Sequence, residues 1–247
     1  MKKYKLILCT FSIIGLMLTS CDPSVEAPGS NDSSEITFLP LITLVGGDVV
    51  LDCDETSYID PGAEATAGGV VLDLNTEVIG KYFGGSTVDG PDSYLVAYSA
   101  FNTDDIPAVN NRSVLQPECN GDLVTSIAGT YSCFVARNGG TPYAEFFDPF
   151  IIKDLGDNRY AISDAQGGWY EYGRGLGLSF ATLGMVVVAN DISANDFTAE
   201  GTVSTGTFGG TNTFTSLKVD PVAKTLVLTV NWSFGYEFVS TFTQVEP

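Results

Sequence analysis

The stretch T-F-T-S-L-K-V-D-P-V-A-K-T-L-V-L-T-V, residues 213–230, decides the fold class. Two short β-type runs, 213–219 and 225–230, flank Asp220-Pro221-Val222-Ala223-Lys224, whose Asp and Pro supply turn geometry. The stretch therefore reads as an antiparallel hairpin. A second turn of this kind is legible at Leu155-Gly156-Asp157-Asn158. Working outward, further β-type runs fall at 129–137, 150–153, 159–163, 178–180, 185–189, 197–204 and 237–244. No stretch shows 3.6-residue apolar periodicity between caps, so helix is expected to be scarce. Residues 122–247 are expected to form an antiparallel β-barrel or sandwich.

Upstream, Gln116-Pro117-Glu118-Cys119-Asn120-Gly121 is a polar, Pro- and Gly-bearing break between apolar segments and marks a boundary. Before it, runs at 41–45, 49–52, 70–74, 94–101 and 109–115 are punctuated by Gly46-Gly47, Pro61-Gly62, Gly68-Gly69, Gly84-Gly85 and Gly90-Pro91. This spacing predicts a β-sandwich over 36–116. Residues 22–35, D-P-S-V-E-A-P-G-S-N-D-S-S-E, lack apolar periodicity, and residues 21–35 read as a flexible tether. The chain is thus expected to be all-β throughout.

Lys2, Lys3 and Lys5 precede an apolar run over 6–18, too short to span a bilayer, and residues 1–20 read as a secretory signal peptide. Leu18-Thr19-Ser20-Cys21 resembles a bacterial lipobox, which implies lipidation of Cys21 after cleavage. Acyl chains would then be the chain's attachment to the membrane, since each buried methylene adds about 0.8 kcal/mol of membrane affinity. The whole sequence carries 11 Lys and Arg against 30 Asp and Glu; without the three leader lysines, eight remain against 30, a net charge of −22. Such a surface repels nucleic acid and favours neutral or cationic partners. With 44 % hydrophobic and 17 % charged residues, the composition is that of a globular protein.

The sequence contains no histidine. Ser-His-Asp and Cys-His nucleophile pairs and H-E-x-x-H metal sites are therefore excluded. Glycoside hydrolysis by a carboxylate pair survives, but with 30 acidic residues some pair always qualifies, so an enzyme is not expected. Cys53, Cys119 and Cys133 are the structural cysteines. Cys119 and Cys133 bridge if their strands meet; otherwise a buried thiol serves as a small apolar side chain. No C-x-x-C pair supports zinc, and no cofactor is implied. Asp52-Cys53-Asp54 and Asn102-Thr103-Asp104-Asp105 offer oxygen ligands for calcium, or are simply solvated acidic turns. Neither fits an EF-hand loop, since Ser57 stands where glycine is required.

Residues 42–65, with Tyr58-Ile59-Asp60-Pro61-Gly62-Ala63 at their end, resemble the opening of an immunoglobulin-like, hyalin-repeat-related module of Bacteroidota surface lipoproteins. Tyr94-Leu95-Val96-Ala97-Tyr98-Ser99-Ala100 and Arg112-Ser113-Val114 are similar to that module's closing strands. The order Gly129-Thr130-Tyr131, Ile162-Ser163-Asp164, Gly167-Gly168-Trp169-Tyr170 resembles the carboxy-terminal β domain of the same family. The resemblance implies a lipid-anchored protein of the outer membrane, facing the cell exterior, that accompanies a nutrient transporter and captures an oligosaccharide. The alternative is an accessory subunit that docks to a protein partner without a small ligand.

The candidate site lies in residues 163–177, S-D-A-Q-G-G-W-Y-E-Y-G-R-G-L-G, which hold three aromatic residues, one arginine and five glycines. Trp169, Tyr170 and Tyr172 are placed to stack on a sugar ring, and Asp164, Gln166, Glu171 and Arg174 to hydrogen-bond its hydroxyls. The competing reading is a wide turn whose aromatics cap the barrel. Exposed, co-planar Trp169 and Tyr170 would favour the first; buried rings favour the second. A further set, Trp232, Phe234, Tyr236 and Phe238, is expected to share one core-facing side by its period of two.

Overall fold

The structure, a computed structural model, describes residues 36–144 and 146–246. Residues 1–35, which include the expected signal peptide, the expected lipidation site Cys21 and the expected tether, lie outside the described residues.

Alternation builds the amino-terminal sheets. Strand β6 (Asp92–Phe101) buries every second residue, including Tyr94, Val96, Tyr98 and Ala100, and turns Leu95 and Phe101 outward. It pairs antiparallel with β5 (Asn75–Gly80) and β7 (Pro107–Gln116), and β2 (Val49–Val50) joins β7 in parallel. A second sheet, β1 (Leu41–Leu44), β3 (Ala63–Ala67) and β4 (Val70–Val71), packs against β6 and β7 through β1. Ile42 and Ala65 from one sheet meet Tyr94, Val96, Tyr98 and Val114 from the other to make the core. Strands β3 and β5 were not expected; their Ala, Asn, Thr and Glu content hides them from a pattern of apolar runs.

The Tyr58–Ala63 stretch serves a polar knot beneath this sandwich. Arg112, fully buried, pairs with Asp60 and donates to the Tyr98 hydroxyl at 2.7 Å and to the carbonyls of Val45, Gly47 and Gly62 at 2.6, 3.0 and 3.0 Å. Tyr98 and Tyr58 donate to Asp60 at 2.6 and 3.1 Å, as does the Gly62 amide at 3.1 Å. Burial alone would push the Asp60 carboxyl up. The Tyr98 hydroxyl, the Gly62 amide, the Tyr58 hydroxyl and the Arg112 charge together hold it below the usual aspartate value.

The carboxy-terminal part is one sheet of nine antiparallel strands: β8 (Gly129–Arg137), β9 (Phe146–Asp154), β10 (Arg159–Ile162), β11 (Met185–Asp191), β12 (Asp196–Ala199), β13 (Val203–Thr205), β14 (Gly209–Asp220), β15 (Thr225–Trp232) and β16 (Tyr236–Gln244). Strand β12 lies at one edge and β13 at the other, yet only residues 200–202 join them. So short a link reaches about 14 Å at full stretch, so the sheet must curl until its edges approach. Strand β12 indeed meets β14 across the gap, without a ladder between β12 and β13, which leaves a half-barrel rather than a closed barrel or a sandwich. The expected single run 197–204 is thus two strands, and 178–180, expected as a strand, is one 3-10 turn, Leu178–Phe180.

Both expected hairpin turns connect neighbouring strands, β9 to β10 and β14 to β15. Helix is confined to short turns among the described residues. Of the readings left open for the cysteines, Cys133 is the buried thiol, and Cys119 bridges to Cys53, Cα atoms 5.0 Å apart. The reason is register: β2 and β7 run parallel with Val50 beside Leu115, and both chains continue in the same direction to the two cysteines. Cys133 faces the half-barrel interior instead, its buried thiol directed at the Gly167 carbonyl at 3.7 Å. The Asn102 side chain accepts from the Asp104 and Ile106 amides at 3.0 and 2.8 Å, which closes that acidic turn. Among the described residues no group of three or more acidic or cysteine side chains converges on a point.

Candidate functional site

Residues 161–171 are all buried, so the glycine-rich segment threads the concave side of the half-barrel. Its glycines serve that close packing. A Cβ on Gly167 would meet Ser240 Oγ at 2.3 Å, and one on Gly168 would meet the rings of Tyr172 and Phe150 at 2.7 and 2.8 Å. Both also hold φ near +59° and +74°, a region glycine tolerates without strain. The segment then makes one wide π-type turn, Trp169–Gly173, with Gly173 N–H reaching back to Gly168 O and Arg174 N–H to Trp169 O.

The seven sequence-predicted residues scatter into four environments. Asp164 and Gln166, each 1 % exposed, belong to a buried polar network. Asp164 accepts from the amides of Gln166 and Thr182 at 2.8 and 3.2 Å. Gln166 donates to Thr205 and Asn212 at 3.0 and 2.6 Å, tying the segment to β13 and β14 at the sheet edge. Trp169 is buried between Tyr143 and Phe238, ring centroids 4.5 and 5.8 Å away, beneath the Arg137 guanidinium. Tyr172 belongs to the joint with the amino-terminal sandwich: Lys81 Nζ donates to its hydroxyl at 2.8 Å and pairs with Glu171 at 2.7 Å, while the Tyr82 hydroxyl lies 2.5 Å away. Only Tyr170, itself 7 % exposed, and Arg174 line an open hollow; with the Trp169 and Tyr170 rings both buried, the segment meets the criterion for a wide turn whose aromatics pack against the sheet.

Burial pushes the Asp164 carboxyl up to about 6, against the Gln166 amide that lowers it and with the Glu171 charge adding to the rise. The folded state therefore holds a proton that the unfolded chain, near 3.9, has released. Stability contributed by this group is full below that unfolded value and falls as pH rises toward 6. Asp164→Asn keeps the accepting oxygen and removes the titration. We expect it to gain on the order of 2 kcal/mol on wild type between pH 4 and 6.5, read from urea midpoints at each pH.

The hollow itself has a volume of about 390 Å³. The turns before β14 and between β15 and β16 lie at the same end of the sheet, where Arg137 closes β8 opposite Phe238. That topology brings together Phe208, Trp232, Phe234 and Tyr236 with Tyr170 as aromatic walls, and adds the guanidinium groups of Arg137 and Arg174. Trp232 and Tyr236 are a cross-strand pair, and Phe234 sits in the turn between them, 4.6 Å from the Trp232 ring. The expected single-strand alternation is thus a hairpin. Trp232 and Phe238 face the core as expected, but Phe234 is 58 % exposed. Trp232 Nε1 donates to Gly209 O at 3.1 Å, which fixes its ring between the two turns. Among the described residues no carboxylate lines this hollow.

Sequence reasoning missed this hollow; the signal that could have found it is a phenylalanine inside a glycine-bearing turn, in Thr207-Phe208-Gly209-Gly210 and Ser233-Phe234-Gly235-Tyr236. Turns favour small polar residues, so a large ring there is placed for something other than the chain's own bend. A second, apolar cleft of about 470 Å³ lies between the two cores, with Val49, Val50, Ile79 and Leu95 on one side and Pro149 and Leu178 on the other. Its Lys81 amine is already engaged by Glu171.

A family model described as a “-like, C-terminal domain” matches residues 120–244. That is more than half of the 247 residues, and the chain belongs to this family. The fold is similar to the crystal structure of the lipoprotein BT2262 from Bacteroides thetaiotaomicron, with a TM-score of 0.57 and 20 % identity, covering 83 % of this chain and 100 % of that one. No curated protein matches the chain.

Proposed function

We propose that this chain is a lipid-anchored, outward-facing binding protein of the outer membrane that captures an oligosaccharide at the aromatic hollow and passes it to an uptake system. The observation that carries the reading is the hollow itself, five aromatic rings and two guanidinium groups around about 390 Å³. Aromatic faces lose water favourably against the apolar face of a sugar, and a few convergent polar groups fix its orientation. The absence of histidine from the sequence, and of a carboxylate from the lining among the described residues, supports capture rather than hydrolysis. The lipobox-like Leu18–Cys21 and the likeness to a Bacteroides lipoprotein support the anchor.

A glycan-array screen of wild type beside Phe234→Ala tests this. Phe234 is exposed and its loss leaves the core intact. Binding is expected to weaken about tenfold, the equivalent of roughly 1.4 kcal/mol; an unchanged array profile would place the site elsewhere.

The apolar cleft favours a second reading, docking to a transporter without a small ligand, because Val50, Ile79 and Leu95 remain exposed beside it. A folded wild type silent on the array, together with a Leu95→Asp variant that fails to copurify with its transporter, would establish that role instead.

A further inference from the structure

The charge inventory of the hollow narrows the ligand further. Beyond the leader, eight basic residues stand against 30 acidic ones. Three of the eight form ion pairs, Lys81 with Glu171, Arg112 with Asp60 and Arg159 with Glu200. Arg137 and Arg174 form none among the described residues, and they share one hollow. Two guanidinium groups that line one hollow, with no carboxylate partner among the described residues, form a local excess of positive charge in a protein with acidic side chains in excess.

Arg137 is also held. Its guanidinium carbon lies 4.4 Å from the Tyr236 ring centroid and 5.0 Å from that of Trp169, so the planar group is stacked and partly stripped of water before any ligand arrives. The donor and acceptor balance points the same way. A neutral sugar hydroxyl both donates and accepts, and among the described lining side chains only those of Tyr170 and Tyr236 carry an oxygen that can accept. Among the described residues no Asp, Glu, Asn or Gln side chain lines the hollow, and its guanidinium groups only donate. Its chemistry matches a group that only accepts.

We propose, resting on the capture reading above, that the saccharide is anionic: a sugar whose carboxylate or sulfate is held by Arg137 and Arg174 while a ring face rests on the exposed Phe208 and Phe234 rings. The negative net charge of the protein then acts as a filter, turning away anions that lack a ring to fit the aromatic walls. The site is a local exception to the preference for neutral or cationic partners that the sequence's overall charge implies.

Isothermal titration of the intact chain tests it with three probes: tetragalacturonate, its fully methyl-esterified form, and a sulfated galactotetraose. The ester keeps the sugar rings and masks the charge. One charged probe is expected to bind at least tenfold more tightly than the ester, with the preference shrinking as salt is raised. Which of the two binds identifies the anion. Arg174→Gln, an exposed substitution, is expected to weaken that binding tenfold or more and to weaken the ester by a much smaller factor, so that the preference for the charged probe collapses. An ester that binds as tightly as the charged probes, or an Arg174→Gln variant with unaltered affinity, would overturn the anionic assignment and leave saccharide capture standing. Silence toward all three probes and toward a neutral glycan array would overturn both.

Discussion

Replacing Arg112 by leucine is expected to lower the unfolding free energy of the amino-terminal sandwich by about 3–5 kcal/mol. Arg112 is fully buried, and its removal strands Asp60 together with the carbonyls of Val45, Gly47 and Gly62 that it now satisfies. A module of this size has only about 4–12 kcal/mol of stability, so the loss takes a large share of it. Hydrogen exchange of the β6 and β7 amides reads the change without interference from the half-barrel. Asp60→Asn is expected to cost less, because its side chain is 28 % exposed and water replaces part of what is lost. The pH dependence follows in sign: the Asp60 carboxyl is held below its ordinary value, so its contribution is full above that value and disappears only as pH falls through the folded one. Amide protection in Arg112→Leu equal to wild type would refute this account of the knot.

Breaking the Cys53–Cys119 bridge is the second large effect. The bridge closes a loop with a sequence separation of 66, nearly the whole amino-terminal sandwich. Chain-entropy reasoning gives about 4 kcal/mol for a loop of that length. A Cys53→Ser, Cys119→Ser double variant is therefore expected to shift the urea midpoint of the sandwich sharply downward, and reductant is expected to do the same to wild type. Cys133 is buried under the glycine-rich segment and is expected to resist alkylation until the half-barrel itself opens. A reductant-insensitive midpoint would show that the bridge adds nothing to the folded state.

How far the sequence reveals this molecule depends on where its information is local. The hairpins at Leu155–Asn158 and Asp220–Lys224 are legible because turn chemistry sits inside the turn. The Tyr58–Ala63 stretch was recognisable as a pattern, though its reason, the buried knot with Tyr98 and Arg112, spans separations of 38 and 52 residues. The curl of the second sheet was not legible. It depends on the chain crossing from one sheet edge to the other over residues 200–202, and nothing in those residues names the strands they join.

The site shows the same division. Residues 163–177 were singled out for aromatics and glycines that are rare in a core strand, and the structure uses most of them to pack a plug against the wall. A glycine required by Ser240 Oγ at 2.3 Å reads the same, in sequence, as one required by a ligand. Tyr170 and Arg174 reach the hollow only because the π-type turn carries them to the end of the sheet. Their partners Arg137, Phe208, Trp232 and Phe234 come from three separate strand ends, and convergence of that kind is set by topology.

The most direct measurement uses the two tryptophans. In a Trp169→Phe background, emission comes from Trp232 alone, at the wall of the hollow. Titration with the tightest oligosaccharide from the array is predicted to change that emission saturably, with the midpoint matching the calorimetric affinity, and Phe234→Ala is predicted to move that midpoint about tenfold higher. Saccharide binding by calorimetry with no change in Trp232 emission would contradict the account, because the ligand would then sit away from the aromatic hollow.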